Sequence, residues 1–196
     1  MSGIGGIVLA AGSSRRFGDD KRKQKLATGK SVIEQSILTA AAALDQVMVV
    51  LRFGDQSYLE ELRSTINLPN VTYFRAPDSA RGMAHSLSNA IHQVKDWDGA
   101  VVLLADMPFL QPGTIHQVVS TWEKHRQNDP IVMPEIDGKV GHPVLFPKAY
   151  FAEIEQLEGD RGARPVIEEH EQKVITLVVE DRGILLDIDR PEDIRA

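Results

Sequence analysis

The chain has 196 residues, 42% of them apolar, no cysteine, and a net charge of −6 at pH 7. That length suits one domain over 1–196 with a single sizeable core, and the missing thiols exclude disulfides, thiolate metal sites and cysteine nucleophiles while suiting a reducing cytoplasm. The acidic balance argues against nucleic acid as a partner, and no apolar run is long enough to cross a membrane.

The first predicted strand covers 5–10. The start "MSGIGGIVLAAGSS" lacks the basic n-region of a secretory leader and its apolar run is broken by glycine. After the strand comes "AAGSSRRFGDDK", where Arg15, Arg16, Lys21, Arg22, Lys23, Lys25 and Lys30 stand against only Asp19 and Asp20. A compact basic loop on an acidic chain points to a confined anionic ligand such as a nucleoside triphosphate, or else to a solvated face. The loop matches neither the Walker pattern nor the dinucleotide fingerprint. In Leu9, Ala10, Ala11, Gly12, Ser13 and Ser14 the residues are mostly small, so backbone can lie against a base and phosphates, with Arg16 and Lys21 supplying charge. Arg22 and Lys23 are expected to contribute little.

A helix is predicted over 31–44, then a strand over 46–52, a helix over 56–66 and a strand over 71–75. "RAPDSARGMAHSL" leads from that strand into a helix over 81–95. The amides near Arg81, Gly82 and Met83, with Ser86 one turn on, suit an anion or a base edge. The next strand, 99–105, stops at Asp106 in "LLADMPFL". A carboxylate at such a strand end either holds Mg²⁺ against phosphate oxygens or caps the following turn.

A helix over 112–127 follows, then strands over 131–134 and 143–146. Before the second of these, "GKVGHPVLFP" places Gly141 and His142 as candidates for holding the acceptor, with His142 a positioning residue rather than a base. Between helices at 149–156 and 162–170, "GDRGARPVI" adds Asp160, Arg161 and Arg164 for a second phosphate, although Arg161 could instead pair with Asp160. Strands at 174–179 and 184–188 close the series, and "LLDIDRPEDI" ends on Asp187 and Asp189. Either acid is a candidate second metal ligand, and Asp189 is also a candidate helix cap. Strands alternating with helices predict an α/β fold with a mostly parallel mixed sheet in three layers.

Taken together, "LAAGSSRRFGDDK", "RGMAHSL", "LLADMPFL", "GHPVLF", "GDRGAR" and "DIDRPEDI" resemble, in order and spacing, the molybdenum cofactor nucleotidyltransferases over nearly the whole chain, most of all the cytidylyltransferase branch. The resemblance implies a Rossmann-like nucleotidyltransferase fold with the signature loop around the triphosphate, Lys21 on phosphates, and Asp106 on Mg²⁺. It implies transfer of CMP from CTP to the phosphate of molybdopterin, release of pyrophosphate, and transient contact with a molybdoenzyme. Relatives with similar loops act on sugar phosphates or other phosphorylated metabolites, and a non-catalytic cofactor-binding chaperone is the remaining alternative. "KRKQKLATGK" is longer and more basic than the usual family segment, so Lys25 or Lys30 could share the role of Lys21. Ala11 stands where guanine-using relatives are expected to carry glycine; its methyl either narrows the base slot towards cytosine or packs beneath the helix.

Overall fold

The computed structural model describes residues 3–12 and 20–195. Ser13, Ser14 and Arg16 therefore lie outside the described residues. Among the described residues eight strands form one sheet in the order β3-β2-β1-β4-β7-β5-β6, with β8 pairing on β5. These are β1 (Ile4–Leu9), β2 (Val47–Arg52), β3 (Val71–Ala76), β4 (Gly99–Leu104), β5 (Ile131–Ile136), β6 (Lys139–Val140), β7 (Val144–Pro147) and β8 (Val174–Val178). The first four strands run parallel, β7 runs antiparallel to β4, and β8 runs parallel to β5.

Both faces of the sheet are buried, which is why the central strands read as continuous apolar runs. In β4, Val101 and Leu103 face the cluster built on α1 (Val32–Ala43), α2 (Gln56–Thr65) and α4 (Pro112–His125). Ala100 and Val102 face the cluster of α3 (Met83–Gln93), α5 (Phe151–Ile154) and α6 (Arg164–Glu169). The result is the expected three-layer Rossmann-like arrangement. Helix α1 begins with a capping box: the Glu34 amide donates to the Ser31 hydroxyl at 3.3 Å, and the Glu34 carboxylate accepts from the Ser31 amide.

From β1 the chain builds β2 and β3 on one side and then returns to place β4 on the other. The carboxyl ends of β1 and β4 thus flank the switch in strand order, where open α/β sheets form ligand crevices.

The strand expected at 184–188 does not form. Arg182–Leu185 make a 3-10 turn in which the Asp181 side chain accepts from the Gly183 amide. A Cβ on Gly183 would lie 2.3 Å from the Phe109 carbonyl oxygen, so the segment is pressed against the loop after β4 and not laid along the sheet. Ile184 and Ile188 are buried while Leu186 between them is exposed, whereas a strand would put all three on one face. No helix among the described residues is long and apolar enough to cross a membrane.

Candidate functional site

A cleft of about 980 Å³ opens at the carboxyl ends of β1 and β4. Its walls include Leu9, Ala10, Ala11 and Gly12 from the end of β1, and Arg81, Gly82, Met83 and Ser86 from the start of α3. Lys21, Asp106 and Asp160 also line it. The fold thus brings these candidate residues around one cleft. Gly82 has φ of 129°, and a Cβ there would lie 2.3 Å from the Gly159 carbonyl oxygen. Only glycine admits this contact, which carries Asp160 to the rim.

The charged centre is made by three chain segments. Lys21 Nζ lies 2.6 Å from Asp106 and 3.2 Å from Asp189. Carboxylate oxygens of Asp106, Asp187 and Asp189 all lie within 4.8 Å of one another, so both acids left open by the sequence join Asp106. Such an oxygen donor set suits a hard divalent cation, and the Lys21 ammonium held between two of the carboxylates shows that the cluster attracts one positive centre. Burial alone would depress the Lys21 pKa, but Asp106 and Asp189 hold it above the ordinary lysine value. Burial raises the Asp187 carboxyl, and the neighbouring charges of Asp189 and Asp106 add to the effect.

The basic segment after β1 differs from the sequence reading. Arg22 is buried, with 4% of its surface exposed. Its guanidinium donates to Asp20 at 2.7 Å, to Asp55 at 2.5 Å and to the Ala10 carbonyl at 2.8 Å. It also lies 4.8 Å from the centre of the Tyr58 ring. Arg22 is therefore a clamp between the end of β1 and the turn after β2, not a dispensable member of a surface patch. Lys23 and Lys25 pair with Glu61 and Glu34, so these charges too have protein partners.

Arg52 was missed by the sequence reading. It donates to the Gly12 carbonyl through Nε at 3.0 Å and through Nη2, and with Phe53 and Asp55 it walls the cleft. An arginine closing the buried run "VMVVLR" at a strand end was the available signal.

Gly141, His142, Arg161 and Arg164 are not among the cleft walls. Arg161 and Arg164 both donate to Glu168 on α6. A Cβ on Gly141 would lie 2.1 Å from the Ile184 carbonyl oxygen, and the His142 amide donates to that same oxygen at 3.1 Å. Burial depresses the His142 pKa, with the Asp106 charge opposing it.

The chain is 30% identical to the purine catabolism protein PucB of Bacillus subtilis, covering 96% of this chain and 92% of that protein. It is 28% identical to the molybdenum cofactor cytidylyltransferase of Escherichia coli, covering 98% and 94%. Its fold matches the crystal structure of a Mycobacterium tuberculosis protein in complex with manganese at a TM-score of 0.75, with 26% identity over 97% of this chain and 95% of that one. A cleft at the β1/β4 switch, a lysine among carboxylates, and a family match over residues 6–174 agree: the chain belongs to the family of MobA-like NTP transferase domains.

Proposed function

We propose that this protein transfers CMP from CTP to the phosphate of molybdopterin, releasing pyrophosphate with the help of Mg²⁺. The observation that carries the reading is the meeting of Lys21, Asp106, Asp187 and Asp189 beside the cleft formed at the end of β1. The choice of cytosine and molybdopterin is supported by the cytidylyltransferase of Escherichia coli, which aligns over nearly all of the chain.

In this reading Ala10, Ala11 and Gly12 offer backbone to the base and ribose, with the amides around Arg81, Gly82 and Met83 on the opposite wall. Asp106 and Asp189 would hold Mg²⁺, with Asp187 beside them. Bound there, the ion supplies charge neutralisation for the phosphate oxygens. Lys21 turns from the carboxylates towards the triphosphate and neutralises negative charge on the non-bridging oxygens and the leaving group. An oxygen of the acceptor phosphate attacks the α-phosphorus, the bond from that phosphorus to the bridging oxygen breaks, and pyrophosphate leaves with the electron pair. The acceptor phosphate is already ionised, so no side chain needs to remove a proton. Arg16 is proposed to assist at the triphosphate, and Asp160, on the cleft wall, to border the acceptor.

Asp106→Asn tests the assignment. Loss of a charged metal ligand should lower pyrophosphate release by about 10²-fold or more, equal to roughly 3 kcal/mol, in a protein that still folds. Normal turnover in this variant at limiting Mg²⁺ would reduce Asp106 to a cap.

A further inference from the structure

Asp181 is buried, with 6% of its surface exposed, and stands six residues before the first acid of the carboxylate cluster. One carboxylate oxygen accepts from the Gln111 amide at 2.9 Å and from the Thr114 hydroxyl at 2.7 Å. Helix α4 has no cap from its own Gln111, so Asp181 serves its N-terminus from 70 residues away. The other oxygen accepts from the Gly183 amide at 2.8 Å. A single carboxylate thus joins the segment after β4, which carries Asp106, to the segment that carries Asp187 and Asp189.

Beyond this anchor the strap is held at successive points. Gly183 rests on the Phe109 carbonyl, Ile184 accepts from the His142 amide at 3.1 Å, and the Ile188 amide donates to the Asp106 carbonyl at 2.9 Å. Ile188 packs with Leu26 and Val32, and Asp193 accepts from the Asp189 amide at 2.9 Å. None of these hydrogen bonds ends on Leu9, Ala10, Ala11 or Gly12 of the β1 wall.

We propose that Asp181 is a positioning residue for the metal site: it sets where Asp187 and Asp189 stand relative to Asp106 without touching the ion or the nucleotide. The proposal rests on the reading of the three acids as metal ligands. Residues that orient metal ligands from behind commonly change affinity by about 10- to 100-fold when altered.

The test measures Mn²⁺ binding to the full chain by electron paramagnetic resonance without nucleotide, and CTP binding by calorimetry in chelator. Asp181→Asn keeps an acceptor for Gln111 and Thr114 but sets an amide donor against the Gly183 N–H. It should retain the helix cap and weaken Mn²⁺ binding about tenfold, with CTP affinity changed less than about twofold. Gly183→Ala displaces the strap from Phe109 while leaving Asp181 intact, and should give the same split. Folded variants with wild-type Mn²⁺ affinity, or with Mn²⁺ and CTP binding lost in equal measure, would overturn the positioning role. A wild-type protein that binds no Mn²⁺ would instead overturn the metal reading of the acids, and the role of Asp181 with it.

Discussion

Lys21 Nζ lies 2.6 Å from an oxygen of Asp106, so the cation expected on phosphate is paired with the carboxylate expected on metal. The two positive centres compete for one acid. Lys21→Met should therefore tighten Mn²⁺ binding in the absence of nucleotide by about tenfold, or roughly 1.4 kcal/mol, while lowering turnover with CTP by about 10²-fold or more. Metal titration of the nucleotide-free variant checks the first half. Unchanged or weaker Mn²⁺ binding would show that lysine and metal do not share the acids.

Arg22 has three acceptors around a guanidinium that is almost wholly buried. Removing the guanidinium takes the buried cation away from Asp20 and Asp55, so Arg22→Ala should cost about 3–5 kcal/mol of stability. Arg22→Lys should recover only part of this, because an ammonium cannot serve Asp20, Asp55 and Ala10 in the same plane. Urea denaturation reads both; a loss below about 0.5 kcal/mol would return Arg22 to the surface patch.

The alternation of strands and helices was legible because β1, β2 and β4 are apolar on both faces, leaving long runs that polar turns interrupt. The acids were legible for a related reason: Asp106 follows the apolar run of β4, Asp187 follows the apolar "ILL", and Asp189 stands two residues further on. Arg22 was not, since its decisive partner Asp55 is 33 residues away and proximity in the fold leaves no local pattern. "GILLDI" read as a strand because its apolar residues cluster, but Gly183 must fit under Phe109 and the backbone turns there. Arg164 and Glu168, four apart, carry the spacing of a helix ion pair, a local signal that the reading of Arg161 and Arg164 as phosphate contacts did not weigh.

His142 provides a pH test. Burial holds its folded pKa below the ordinary value of 6.5, so on acidification the unfolded chain takes up a proton before the folded one does. Its contribution to stability is complete above about pH 6.5 and is lost as the pH falls through the lower folded value. Melting temperatures of the wild type and His142→Gln, compared from about pH 7.5 to about pH 5, should show a shallower decline in the variant. Parallel curves would mean that this imidazole is as readily protonated in the fold as out of it.

Ala11 is buried at the mouth of the β1 loop and lines the cleft, while Arg52 fixes the carbonyl of Gly12 beside it. A methyl on this wall should favour the smaller pyrimidine by an amount on the order of 1–3 kcal/mol. Ala11→Gly should narrow the ratio of kcat/KM for CTP over GTP, with changes near Arg81 to Met83 needed for full reversal. An unaltered ratio would place Ala11 beneath the helix and outside base selection.

The central claim is tested most directly by pyrophosphate release from CTP, GTP, ATP and UTP, each with purified molybdopterin and Mg²⁺. The expected result is acceptor-dependent release with CTP giving the highest kcat/KM, and a cytosine dinucleotide form of the pterin as product. Higher kcat/KM with GTP or ATP, or release that does not depend on the pterin, would contradict it.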